Sequence, residues 1–321
     1  MSEKIMTTDE DLIYWCEECK IPIIKKQGED LTCPCCNKTL IYLASDLRPV
    51  FPEERLLIEL LVDKPLAFLE KSVWVFNNRY FIDGKVLTIT SKHYKKYTSE
   101  ELISSLNKYA FSNNYEFFNK YIEKFIQANR GRLNFLYDEA CEFVKETSKN
   151  FPIENIILSF SGGKDSTVSA DIAVRALSEP SLVHIFGDTT LEFPMTMEYV
   201  KRFRENNRKA IFKVAKNKEQ DFYKVCEDIG PPARMLRWCC SMFKTGPITR
   251  VLNNLYKDKQ VLTFYGIRKC ESVSRSKYNR VENSADAIKI NKQTVASPIF
   301  YWKDIDIWLY ILGRIFNRIK R

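Results

Sequence analysis

No stretch of the 321-residue sequence is apolar over the roughly 20 residues that a membrane-spanning helix needs. The opening Met1-Ser2-Glu3-Lys4 leads into acidic residues, not into a hydrophobic leader. No internal repeat and no low-complexity linker interrupts the chain. These absences predict a soluble, cytoplasmic protein with no membrane partner. A hydrophobic fraction of 45% and a charged fraction of 28% are those of a globular chain. The length suffices for two or three domains.

Cysteine is not scarce: there are ten. In a cytosolic chain this points to metal or sulfur chemistry before disulfides. Half of them lie in the first 45 residues, as Cys16-Glu17-Glu18-Cys19 and Cys33-Pro34-Cys35-Cys36. Two CxxC pairs separated by a hairpin-sized insert suit the tetrahedral, soft-ligand demand of Zn²⁺. The expected ligands are Cys16, Cys19, Cys33 and Cys36, with Cys35 spare. The expectation is a structural zinc ribbon over 1–45, since no thioredoxin-like pattern surrounds either pair. Such a site stabilises a module without a core of its own.

Residues 46–128 read as a mixed α+β accessory region. Val73 to Thr90 reads as two strands joined at Asp83-Gly84. Thr98-Ser99-Glu100-Glu101 is a capping box that starts a helix. Leu133, Leu136, Ala140, Phe143 and Val144 have helical spacing. From residue 154 the pattern changes to strands near 155–160, 182–186, 210–215 and 261–266, alternating with helices near 166–177, 194–207 and 218–228. This alternation predicts an open parallel α/β sheet with helices on both faces, filling a domain over 129–321.

Ser161-Gly162-Gly163-Lys164-Asp165-Ser166 follows the first of these strands and opens its helix. A strand, a Gly-rich turn and a helix N-terminus make an anion site, because unpaired N–H groups and the positive end of the helix dipole converge there. The serine hydroxyls add donors to phosphate oxygens. Asp188, at the end of the next strand, is placed to face the same crevice. The net charge of +9 fits phosphate-rich partners such as ATP, tRNA or DNA; a Lys- and Asn-rich compositional bias produces the same figure.

Further motifs follow in order. They are Gly187-Asp188-Thr189-Thr190-Leu191-Glu192-Phe193-Pro194; Arg237-Trp238-Cys239-Cys240 with Lys244; Gly266-Ile267-Arg268 with Glu271 and Arg275; and Pro298-Ile299 with Trp302 and Trp308. The series resembles the phosphoadenosine phosphosulfate (PAPS) reductase family of the PP-loop ATP pyrophosphatases, over about 154–312. The resemblance implies an adenine nucleotide alpha-hydrolase-like fold. It implies that Ser161 to Ser166 hold phosphates, that Asp188, Thr189 and Gly266 line the nucleotide pocket, and that Arg237, Lys244, Arg268 and Arg275 surround an anionic substrate. Asp165 is an expected Mg²⁺ contact beside the phosphates. Trp302 and Trp308 read as core, as do Cys141 and Cys226.

The full SGGKDS loop looks like that of the ATP-hydrolysing members, and no cysteine follows Cys270, where reductases carry their nucleophile. ATP activation is therefore favoured over PAPS or adenylylsulfate reduction, with a nucleic-acid-binding module as a third reading. Lys164, Asp165, Arg237, Lys244 and Cys240 are the expected catalytic groups. The Cys239-Cys240 pair lacks the later CxxC with which relatives bind a [4Fe–4S] cluster, which argues against a cluster within this chain. Cys240 could carry sulfur as a persulfide from a donor protein, or both thiols could be structural. The chain runs only to Arg321, about where the family would continue.

Overall fold

The computed structural model describes residues 11–257, 259–283 and 293–315. The readings made on Met1 to Lys4 and on the last six residues lie outside them. The chain groups into two compact units: residues up to Phe135 together with those from Lys303, and Leu136–Trp302.

In the first unit, β1 (Asp11–Cys16) pairs antiparallel with β2 (Ile21–Lys26) and β3 (Ile41–Ala44). A second antiparallel sheet follows: β4 (Arg48–Pro49), β5 (Val73–Phe76), β6 (Arg79–Ile82) and β7 (Lys85–Thr88). It packs with α1 (Pro52–Leu61) around Val50, Ile58, Leu61, Val73 and Val75. The expected turn at Asp83-Gly84 is present, but the stretch before it is two strands, not one. Asn77 adopts φ 57°, and this left-handed turn divides β5 from β6. After the short α2 (Ser91–Tyr94), α3 (Ser99–Lys108) starts with the expected box: Glu101 N donates to Thr98 Oγ1 (3.2 Å) and Thr98 N donates to Glu101 Oε2 (2.8 Å). α4 (Glu116–Ala128) follows, and α5 (Arg130–Ser148) begins in the first unit and runs on into the second.

The helix Asp304–Tyr310 belongs to the first unit. Arg132, its side chain 11% exposed, bridges it to β1, 2.6 Å from Asp306 and 2.8 Å from Asp11. Asp46 accepts hydrogen bonds from the backbone N–H groups of Asp304 (2.9 Å) and Ile305 (3.1 Å), so it caps the helix. Burial outweighs those donors and pushes the Asp46 carboxyl up to about 6.

The second unit is α/β. Its elements are β8 (Ile156–Phe160), α6 (Lys164–Leu177), β9 (Val183–Asp188), α7 (Pro194–Asn206), β10 (Ile211–Lys216), α8 (Phe222–Ile229), α9 (Gly246–Tyr256), β11 (Val261–Phe264), β12 (Val281–Asn283) and β13 (Gln293–Ala296). The sheet order is β10-β9-β8-β11-β13-β12, parallel throughout except for β12 at one edge. Ile156, Ile157 and Leu158 of β8 are all essentially inaccessible, because a central parallel strand is covered on both faces. One face packs Ile157, Ile185, Ala215 and Val261 on Leu252 and Tyr256 of α9. The other stacks Phe160 on Phe203, their centroids 4.3 Å apart. His184 sits in that aromatic layer, and burial lowers its pKa, which keeps the ring neutral. From β8 the chain builds outward to β9 and β10, then returns to add β11 on the other side. The carboxyl ends of β8 and β11 therefore flank the point where an open sheet forms its crevice.

Candidate functional site

The loop Ser161–Lys164 emerges from β8 at that point. Gly162 adopts φ +74°, and a Cβ there would stand 3.0 Å from the Val200 methyl and 3.2 Å from that of Thr196, both on α7. Glycine is thus required by conformation and by space. Ser166 Oγ braces the turn: it accepts from Ser161 N (3.2 Å), donates to the Gly163 carbonyl (2.9 Å) and lies 3.1 Å from Ser161 Oγ. Thr167 Oγ1 donates to the same carbonyl (3.0 Å) and bonds the Tyr199 hydroxyl (2.9 Å). Gly163 is the N-cap of α6 and brings no capping side chain.

Gly266, just beyond β11, is in hard contact with this turn. A Cβ there would stand 2.5 Å from the Asp165 carbonyl carbon and 2.5 Å from Ser166 N. Two residues on, Arg268 Nε lies 3.2 Å from Asp165 Oδ1, and Lys164 Nζ lies 3.6 Å from Oδ2. Arg268 is only 4% exposed. It was expected to supply positive charge around an anionic substrate; it lies inside, against the loop's carboxylate. Cys270, which no sequence motif flagged, accepts a hydrogen bond from Arg268 Nη1 at 3.5 Å and donates to the Trp302 carbonyl at 3.3 Å. Arg275 pairs with Glu271.

Asp188 closes β9 and Lys216 closes β10, opposite it in register. Their side chains pair at 3.0 Å. Asp188 Oδ1 also accepts from Thr190 N (2.9 Å), whose φ of 65° turns the chain sharply away from the sheet. Thr189 donates to Glu192 (2.9 Å). The pairing to Lys216 had no sequence signal beyond its place at a strand end.

Arg237, Lys244 and Cys240 lie on the separate segment that precedes α9. Arg237 is exposed and donates to the Arg234 carbonyl (3.3 Å). Cys240 and Lys244, both exposed, belong to a π-helical turn, Cys240–Thr245. That turn is moored by Trp238 and Phe243, which pack with Val225, Cys226 and Cys239, and by Asn217 just past β10, which donates to the Met242 carbonyl (3.4 Å). Burial raises the Cys239 thiol.

In the first unit the four predicted sulfurs converge, all within 4.8 Å of one another. Cys16 and Cys36 are 3.4 Å apart, and Cys19 and Cys33 are 3.9 Å apart. A tetrahedral metal with bonds of about 2.3 Å separates its sulfurs by roughly 3.8 Å, so the donor set fits such an ion. The two knuckles are built alike. Lys20 (φ 56°) and Asn37 (φ 57°) are left-handed, and each donates its N–H to the carbonyl of the first cysteine at 2.9 Å. Burial pushes the Cys16 thiol up to about 11 and raises Cys19 further, while the Lys38 N–H lowers Cys36. A divalent cation would hold such buried sulfurs as thiolates. Cys35 is exposed; partial burial raises its thiol, and the neighbouring Cys33 and Cys36 add to that rise.

A family model described as "Phosphoadenosine phosphosulfate reductase domain" matches residues 155–316. Two proteins of Methanocaldococcus jannaschii are similar in sequence. Uncharacterized protein MJ0066 is 33% identical over 58% of this chain and 37% of its own length. Uncharacterized protein MJ0973 is 32% identical over 62% of this chain and 46% of its own. The chain thus spans less than half the length of either. Solved structures similar to this chain include the phosphoadenylyl-sulfate reductase of Candida auris (17% identical, 57% of this chain and 85% of that one, TM-score 0.41). Another is the FMN adenylyltransferase of Candida glabrata (14%, 56% and 54%, TM-score 0.42). Among the described residues no helix is long and apolar enough to cross a membrane.

Proposed function

The chain belongs to the phosphoadenosine phosphosulfate reductase domain family, and on that premise we propose that it is a PP-loop enzyme that cleaves ATP to AMP and pyrophosphate. One observation carries the reading: the uncapped start of α6 and the turn Ser161–Lys164 sit at the crevice, held by glycine contacts on two sides. Backbone donors fixed in this way stabilise the charge that collects on a departing pyrophosphate. Lys164 adds a cation at the same place. An acceptor oxygen attacks the α-phosphorus, the bond to the bridging oxygen of the β-phosphate breaks, and pyrophosphate leaves with that electron pair. Mg²⁺ arrives on the triphosphate and screens its charge. Asp188 and Thr189 line the adenosine side of the crevice. Arg237 and Lys244 would draw in the anionic substrate, and Arg268 keeps Asp165 beside the phosphates.

The adenylylated acceptor is then open to a sulfur nucleophile that displaces AMP. Exposed Cys240, loaded as a persulfide by a donor protein, is the proposed carrier, and a nucleic acid is the proposed acceptor. A second thiol would then reduce the Cys240–S–S–acceptor disulfide to release the thiolated product. A thiol-dependent reduction of PAPS is the second reading; the contact between Cys270 and buried Arg268 favours it. In the first unit Zn²⁺ is the proposed ion, with a structural role, and elemental analysis at one zinc per chain checks it. The ten free cysteines suit a reducing cytoplasm.

The test is product analysis with ATP labelled at the α-phosphate, Mg²⁺ and candidate acceptors. AMP and pyrophosphate, abolished by Asp165→Ala, are expected. ADP and phosphate as the sole products overturn the reading, and sulfite released from PAPS with a thiol donor supports the second one.

A further inference from the structure

The edge of the second unit's sheet carries a charge that the site does not use. Between Lys201 and Lys218 the chain has eight cationic side chains and one carboxylate, Glu205, a net of +7 against +9 for all 321 residues. They are Lys201, Arg202, Arg204, Arg208, Lys209, Lys213, Lys216 and Lys218, and all are exposed. Lys216 pairs with Asp188. Among the described residues no carboxylate pairs with the other seven.

Their placement follows from the fold. The last turns of α7 and the loop to β10 carry the first five, and β10 itself with the residues just beyond it carries the rest. β10 is the outermost strand. One lysine on an open strand edge is enough to deter pairing with another chain. Seven unpaired cations on one ridge exceed that need, and they repel one another unless an anionic partner covers them. At the start of the ridge lies an open groove of about 480 Å³, lined by Lys201, Arg204, Glu205, Asn207, Arg208 and Phe212. Arg204 stacks on Phe212 with its guanidinium carbon 5.2 Å from the ring centre, so it is held flat at the groove wall.

We propose that this ridge binds the phosphodiester backbone of a nucleic acid and leads it to the nucleotide crevice. The groove receives phosphates at the amino end of β10. Lys213, Lys216 and Lys218 continue the cations along this edge strand, Lys213 on one face and Lys216 on the groove's face, for about 20 Å at 3.3 Å per residue. The track ends at Asp188, on the rim of the crevice. A duplex presents one charge per roughly 1.7 Å of its axis with both strands counted, so this length carries about a dozen phosphates, of which those on the near side meet the cations. The inference deepens the proposal that the acceptor is a nucleic acid, and rests on it for the direction of the track.

The test is fluorescence anisotropy without ATP, using labelled tRNA, duplex DNA and single-stranded DNA, with anionic phospholipid vesicles as a separate arm. Binding should weaken steeply with salt. Lys201→Gln/Arg208→Gln/Lys213→Gln should reduce affinity at least tenfold at about 0.1 M salt and lower the salt slope by about 3. Neutralising Lys64, Lys92 and Lys95 should change neither by more than about twofold. If the triple variant fails to fold, the pairs Lys201→Gln/Arg208→Gln and Lys209→Gln/Lys213→Gln replace it, each with a slope change of about 2. Undiminished binding by these variants, no binding to any of the nucleic acids, or binding to vesicles alone overturns the proposal. The RNA and DNA arms say which nucleic acid carries the backbone. ATP cleavage is measured separately with small-molecule acceptors in place of nucleic acid, so failure here leaves the pyrophosphatase reading standing, and failure there leaves this one.

Discussion

The two turn-built centres of this protein are opposites. The knuckles Cys16–Lys20 and Cys33–Asn37 gather four acceptors that face one another, and short strands surround them. The turn Ser161–Lys164 opens a helix beside a sheet whose central strand buries every residue but Ser159. The first arrangement suits a cation, which would cancel what it has brought together. The second is held by its own packing and suits an anion.

Removing the metal should give the largest effect. Chelation, or Cys33→Ser, should cost roughly 10 kcal/mol of local folding free energy. Hydrogen exchange should then show β1 to β3 unprotected and β8 to β11 unchanged. Intact protection of β1 to β3 in metal-free protein would break the comparison. Next comes Gly266→Ala, whose new methyl meets backbone, not a side chain that can swing away. A cost of about 3 kcal/mol is expected, with ATP affinity down at least tenfold by calorimetry. Gly162→Ala should be milder, because the neighbours are two methyl groups and the strain is mainly conformational. About 1–2 kcal/mol and a fivefold loss of ATP affinity are expected. If both glycine variants bind ATP normally, the donor-lined turn is not preset by packing.

The smallest effect concerns Asp46. Its folded pKa of about 6 lies above the ordinary 3.8, so the folded state holds the proton more tightly. Its contribution is fully present below about pH 4 and is lost as pH rises through 6. Urea melts between pH 4 and 7 should show this fall of order 1–2 kcal/mol, and Asp46→Asn should flatten it.

The sequence displayed both centres because each is local: spacing alone declares two knuckles, and a strand-turn-helix with two glycines declares an anion site. The parallel sheet was legible for the same reason, since its buried strands are continuous apolar runs. What escaped were facts of long range or short length. Four-residue strands such as β5 and β6 are too brief for alternation to reveal, so the turn at Asn77 passed unseen. β12 is three residues long, and its antiparallel pairing could not be read from composition. Lys216 opposite Asp188, and Arg268 against Asp165, are set by sheet register. No spacing rule distinguishes a buried arginine that positions a carboxylate from an open one that greets a substrate. Gly266 was marked as a motif residue, but the close approach that demands it is visible only in three dimensions.

That close approach has a kinetic consequence. The exit of β11 and the first turn of α6 touch through backbone atoms, so neither can shift without the other. A nucleotide therefore meets a receptor already in its final shape. Stopped-flow traces of ATP association should be single exponentials whose observed rate climbs linearly with concentration, with no plateau to betray a slow rearrangement.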